Sequence, residues 1–427
     1  MKPLLPILLR RSLFFIAASL LIGTGLPSVA ADNSTRIRPF KIQVEESVLR
    51  DLKERLAKTR WPDAAPGDPW ELGVPLGYVK ELTEYWQTKY DWRKQEQALN
   101  QLGQFITTID GMEIHFMHVR SKHTNALPLL LVHGWPGSFV EFSKVIGPFT
   151  EPEKHGGKAA DAFHVVIPSL VGFGFSGKQT ERGWSSQRMA EVFAKLMARL
   201  GYERYGAQGG DWGGGIVRWI AGGDGGHCVG AHNNFPSGSM PTNEPMKGVT
   251  QLEMDRMTNR RRELNDHYGY ASIQSTRPQT LGYGLNDSPA GLAAWITDKF
   301  WAWSDHGGKL ENSFSKDDLL NNIMIYWVTQ SMPSSARIYF ESSHNAPRPS
   351  TMTPWANTGR GAPMGYALFP KEINVPPRAW VERANGQPLF HWTEFPKGGH
   401  FAALETPDLL VQDVREFFRK VKAAPPK

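Results

Sequence analysis

The chain has 427 residues, a net charge of +6, and 40% hydrophobic against 21% charged residues. That apolar share excludes an intrinsically disordered chain, and the lack of any long apolar run after residue 30 excludes a polytopic membrane protein. A single cysteine, Cys228, excludes an internal disulfide framework and a multi-cysteine zinc site.

The N-terminus reads as an export signal. Lys2, Arg10 and Arg11 form a positive region, residues 12–26 an apolar stretch, and Ser28, Val29 and Ala30 offer small residues for cleavage. Cleavage would send the protein to the periplasm or outside the cell; a membrane anchor at 12–26 is the alternative. The Arg10–Arg11 pair loosely matches a twin-arginine signal. Loss of the three cations lowers +6 to +3. No concentrated basic stripe then remains for nucleic acid, and pairs such as Arg260 and Arg262 read as a solvated helix face.

Residues 38–104 read as mostly helical, with Val48, Leu49, Leu52 and Leu56 on one face. Gln104 to Val119 alternates around Asp110-Gly111, a hairpin signal. Apolar runs at 128–133 and 163–167 read as buried parallel strands, with helices expected at 139–146 and 186–200. A weaker strand at 204–208 precedes a Gly-rich turn and an apolar helix at 216–221. From 236 to 350 amphipathic helical patterns take over. Strand patterns return at 379–383 and 390–394. The expected fold is α/β, with a mostly parallel sheet interrupted by a helical lid. The expected division is a signal at 1–30, an extension at 31–120, core segments at 121–235 and 351–427, and the lid at 236–350.

Gly209-Gly210-Asp211-Trp212-Gly213 has the spacing of a nucleophile elbow, a strand-to-helix turn whose neighbours must be small. The central residue is an aspartate, and no G-x-S-x-G occurs. A carboxylate attacks carbon by displacement and forms an alkyl ester; the plain alternative is an acidic helix cap. His133-Gly134-Trp135-Pro136-Gly137 follows the first strong strand. Backbone N–H groups of Trp135 and Trp212 together would hold an oxyanion, with His133 read as a structural hydrogen-bonder. His400, on the loop Gly398-Gly399-His400-Phe401, suits a general base. Glu372 suits the acid that orients it, with Glu394 and Glu405 as rivals. The order Asp211, Glu372, His400 matches nucleophile, acid and base in α/β-hydrolases.

These segments, with Asn286 to Leu292 and Asp91 to Glu96, resemble the microsomal-type epoxide hydrolases, including juvenile-hormone epoxide hydrolases. The likeness spans nearly all the chain after residue 37. It implies an α/β-hydrolase fold with an N-terminal extension wrapping the core, and epoxide hydrolysis to diols, a reaction that serves detoxification or hormone degradation. It further implies that Tyr270 and Tyr339 hydrogen-bond the epoxide oxygen, with Tyr268 as a neighbour that could take the place of Tyr270. A phenol with a pKa of about 10 stays protonated at neutral pH and can supply the proton an opening ring needs. The expected partners are an apolar epoxide and water, with no cofactor and no metal. Haloalkane dehalogenation and non-catalytic ligand binding are the alternatives. Phe173, Phe175, Trp184 and Trp301 suit an apolar pocket or core packing equally.

Overall fold

The computed structural model describes residues 35–344, 361–386 and 388–424; the expected export signal and residues 345–350 of the expected lid lie outside them. A nine-stranded sheet runs in the order β1-β2-β3-β5-β4-β6-β7-β8-β9. The strands are β1 (Arg38–Pro39), β2 (Gln104–Ile109), β3 (Met112–Val119), β4 (Leu127–Val132), β5 (Phe163–Pro168), β6 (Tyr205–Gly209), β7 (Cys228–Asn233), β8 (Met364–Leu368) and β9 (His391–Glu394). From β5 to β9 all neighbours are parallel; β1, β2, β3 and β5 pair antiparallel.

Local chemistry accounts for these elements. The hairpin closes with Ile109 opposite Met112, and both turn residues, Asp110 and Gly111, have positive φ. That is the two-residue geometry whose twist matches the flanking strands. β5 is buried throughout, and β4 along its last four residues, as expected of strands covered on both faces. Ser185 caps the helix Ser186–Arg199, and Thr250 and Ser315 open further helices with capping boxes.

Between β7 and β8 lies the helical insertion: Gln251–Glu263, Gly269–Thr276, Pro278–Asp287, Pro289–Trp303, Lys316–Thr329 and Met332–His344. The N-terminal helices grip it. Tyr85 donates to Asp317 at 2.9 Å, Tyr90 to Asn321 at 2.8 Å, and Arg55 reaches Asp287 at 2.6 Å. Trp70 stacks on Trp301 with centroids 3.9 Å apart.

Three expectations are corrected. Residues 378–385 are a helix, not a strand. Pro377 stands at its N-cap and left-handed Gly386 at its end, while Trp380, Val381 and Asn385 are buried at helical spacing. The stretch 139–146 is a 3-10 turn, Phe139–Phe142, followed by a short helix, Ile146–Thr150. Arg260 is buried rather than solvated.

Beneath the sheet a buried polar knot joins the last helix, Pro407–Ala423, to β7 and β9. Asp413 meets His232 and His391 at 2.8 Å each and accepts from Thr393 at 2.6 Å. Burial opposes its charge most strongly, but these hydrogen bonds hold its carboxyl well below the ordinary range. The stabilisation is therefore present above the unfolded aspartate value near 4 and is lost as pH falls through the lower folded value. Asp413→Asn should cost about 3 kcal/mol in denaturant unfolding at pH 7. The difference from wild type should shrink in acid below the unfolded value; a constant difference would refute the assignment.

Candidate active site

Four parallel strands deliver the site from their carboxyl ends, where ligands collect in open α/β sheets. β6 ends at Gly209, and Asp211 opens the helix Asp211–Gly223 with φ of 51°. This strained backbone lifts its side chain out of the turn. Only glycine fits around it. A Cβ on Gly213 would lie 2.0 Å from the Val132 carbonyl oxygen, and one on Gly209 2.6 Å from the Gly213 backbone.

β4 supplies the loop 133–137. The Trp135 N–H donates to Asp211 Oδ1 at 2.9 Å, and the Trp212 N–H also bonds this carboxyl. Burial raises the Asp211 pKa, while His400 and the two N–H groups counter that rise. His133 is buried; its ring bonds the Gly134 carbonyl at 3.0 Å and the Leu170 N–H at 3.2 Å. It makes no contact as a base.

β8 leads to Glu372, and β9 to the His400 loop. Glu372 therefore follows the strand Met364–Leu368, and the residues after it are not a strand but the approach to the helix Arg378–Asn385. Glu372 Oε1 meets His400 Nδ1 at 2.5 Å, with both side chains buried. His400 Nε2 stands 3.6 Å from Asp211 Oδ2. The rivals are engaged elsewhere: Glu394 pairs with Arg256 at 2.7 Å, and Glu405 accepts from the Asp305 and Phe401 N–H groups. The His400 N–H donates to the Trp303 carbonyl at 2.8 Å, which ties the histidine loop to the insertion.

Tyr270 and Tyr339 descend from two insertion helices onto this centre. The Tyr270 ring stacks on Trp135 at 5.1 Å, and the Tyr339 ring meets Trp212 edge-on at 4.9 Å. The two phenol rings lie 5.7 Å apart. Burial first, then the Asp211 carboxylate, raises the Tyr270 pKa; burial, Tyr270 and Asp211 raise that of Tyr339. Both thus hold their protons near neutrality. Tyr268, by contrast, is exposed. Among the aromatics expected near a pocket, Phe173 packs on His133 and Tyr326, Phe175 on Phe40 and Phe139, Trp184 against Arg188, and Trp301 on Trp70.

Three residues here had no signal in the sequence. Arg260 donates to the carbonyls of Glu372 at 2.9 Å, Lys371 at 2.6 Å and Ala302 at 3.0 Å. It pins the loop of Glu372 to the insertion. Lys299 is buried, paired with Asp298, and its Nζ lies 4.6 Å from the Tyr270 ring centroid. A cation over a phenol ring favours electron density on that ring. Glu141 lines the space behind Asp211 and His400.

The histidine's charge state follows from its neighbours. Desolvation, the largest single influence, lowers the His400 pKa, but the charge and hydrogen bond of Glu372 with the charges of Asp211 and Glu141 push it up to about 9. The ion pair stabilises the fold fully below the unfolded histidine value near 6.5, and this contribution is lost as pH rises through the folded value. A histidine-labelled NMR titration should show the His400 midpoint well above that of an ordinary imidazole. Asp211→Asn should lower it; an unchanged midpoint would exclude electrostatic coupling between the two.

A family model described as the epoxide hydrolase N terminus matches residues 37–142, and one for the alpha/beta hydrolase fold matches 128–225. A putative epoxide hydrolase of Stigmatella aurantiaca is 46% identical over 91% of this chain and 86% of its own. Epoxide hydrolase 1 of Sus scrofa is 37% identical over 93% of each. The crystal structure of juvenile hormone epoxide hydrolase from the silkworm Bombyx mori superposes with a TM-score of 0.80 at 32% identity, covering 91% of this chain and 95% of that one. With likeness this extensive in both sequence and fold, the chain belongs to the epoxide hydrolase family on an α/β-hydrolase scaffold.

Proposed function

We propose that this chain hydrolyses epoxides to vicinal diols through a covalent ester on Asp211. The observation that carries the reading is a buried carboxylate at a strained elbow, facing two protonated tyrosines on one side and a carboxylate-bound histidine on the other. Asp211 Oδ2 attacks the less hindered ring carbon while Oδ1 stays in the grip of the Trp135 N–H. The breaking C–O bond leaves its electron pair on oxygen, which takes a proton or strong hydrogen bond from Tyr270 and Tyr339.

Ester formation changes His400. The charge on Asp211 that helped raise its pKa disappears, so Nε2 gives up its proton more readily, which restores the phenol that protonated the ring oxygen, and His400 becomes a base while Nδ1–H stays on Glu372. Water then adds to the ester carbonyl carbon, passing one proton to His400. The N–H groups of Trp135 and Trp212 hold the oxyanion. Collapse breaks the bond to the diol oxygen, which takes the proton from His400 and leaves; the carboxylic acid left on Asp211 passes its proton back to His400 Nε2, 3.6 Å from Oδ2, and the ion pair is restored.

The surrounding aromatic rings favour an apolar epoxide. Residues 1–30 supply an export signal on the sequence pattern alone, and among the described residues no helix is long and apolar enough to cross a membrane. The helices of 236–350 act as the lid, and the segment before residue 120 as the extension that holds it.

Single-turnover hydrolysis of styrene oxide in heavy-oxygen water should place the first label in Asp211; label entering the diol directly would exclude the ester route. His400→Gln should accumulate the ester and Asp211→Ala should form none. Tyr270→Phe with Tyr339→Phe should slow ester formation by about 100-fold or more. A chloroalkane in the same assay should release no halide. Halide release without diol would identify a dehalogenase, and neither product a binding protein.

A further inference from the structure

Behind Asp211 is a small cavity lined by Gly134, Trp135, Glu141, Asp211, Asn234 and His400 among others. Its volume is about 10 Å³, which is room for one water molecule. Tyr270 and Tyr339 do not line it. The cavity thus lies on the histidine's side of the nucleophile, away from the two phenols, and a molecule held there would not compete with bound epoxide.

A water that attacks a carbonyl carbon must turn a lone pair toward it. Both its hydrogens then need acceptors elsewhere. His400 Nε2 takes one. For the other, Asn234 Oδ1 already accepts from Gln208 at 2.7 Å and the Gly134 carbonyl from His133, so each has one lone pair left. Glu141 differs: among the described residues its carboxyl has no hydrogen-bond donor. Its Oε2 lies where a Cβ on Gly137 would come within 2.0 Å. The turn carrying it is fixed from the insertion, since Asn322 donates to the Pro136 carbonyl at 2.7 Å, Tyr326 to the Gly137 carbonyl at 2.7 Å, and Ser138 to Asn322 at 2.8 Å.

We propose that Glu141 holds the hydrolytic water against His400 in this cavity, and so acts in ester breakdown and not in ester formation. This rests on the ester reading above. Burial raises the Glu141 pKa to about 8, with Asp211 and Glu372 adding to the rise and His400 opposing it. The carboxyl offers an oxygen to the water's second hydrogen in either charge state.

The test separates the two half-reactions by rapid mixing with styrene oxide and quenching for the ester. Glu141→Leu fills the place of the carboxyl without an acceptor, whereas Glu141→Gln keeps an amide oxygen there. The expected result is ester formation at the wild-type rate in both, with breakdown slowed about 10- to 100-fold in Glu141→Leu and largely restored in Glu141→Gln. Ester breakdown at the wild-type rate in Glu141→Leu would overturn the proposal, as would equal loss of both steps in both variants, which marks a packing role. Wild-type enzyme that forms diol with no ester would overturn the reading beneath it, a distinct outcome.

Discussion

The structure is organised around the cost of burying negative charge. Asp211 and Glu372 are both enclosed with a single imidazole between them, and an unpaired carboxylate in such a place would be severely destabilising. His400 neutralises one charge, and backbone N–H groups of Trp135 and Trp212 soften the other. Those N–H groups can reach the carboxyl only because the adjoining loops carry no side chains where backbones cross. The glycine-rich turns, the positive φ at Asp211 and the convergence of four strand ends are all answers to one electrostatic demand.

On the ester route proposed above, that balance also divides the reaction into two steps. An imidazolium held between two carboxylates has no nitrogen free to take a proton, and removing one of those charges lets it shed a proton and act as a base. Ester formation at Asp211 thereby prepares the residue required next. The tyrosines need the opposite treatment: burial beside a carboxylate keeps their protons in place until an alkoxide develops. One cluster of buried groups sets an acid on one side of the nucleophile and a latent base on the other.

How much of this can be read from sequence depends on whether the signal is local. Gly209 to Gly213 and Gly398 to His400 are legible because tight turns demand their glycines within a few residues. The hairpin at Asp110-Gly111 is legible for the same reason. β7 and β8 pass unnoticed because Gly230, His232, Asn233 and Gly365 interrupt any apolar run, although each is buried inside the sheet. Ala379 to Arg383 alternates like a strand, yet Pro377 and Gly386 at its ends decide for helix. Arg260 sits in an arginine-rich stretch that looks solvent-facing. Its partners are more than 40 and 110 residues away in sequence, and only the fold brings them together. Glu141 is hidden similarly, as one acid in an aromatic run whose direction depends on a 3-10 turn.

The Arg260 clamp bears on how such an enzyme can diversify. An insertion between two strands looks like an exchangeable part, free to be replaced whenever a differently shaped substrate must be accommodated. Here that part carries the guanidinium that fixes the backbone of Glu372, and Trp303 receives the His400 N–H. A transplanted insertion lacking these anchors would bring a new binding surface but leave the acid and base loosely held. Substrate range and proton-transfer machinery are therefore inherited together, and new specificities should arise by side-chain replacement within the insertion rather than by its wholesale exchange.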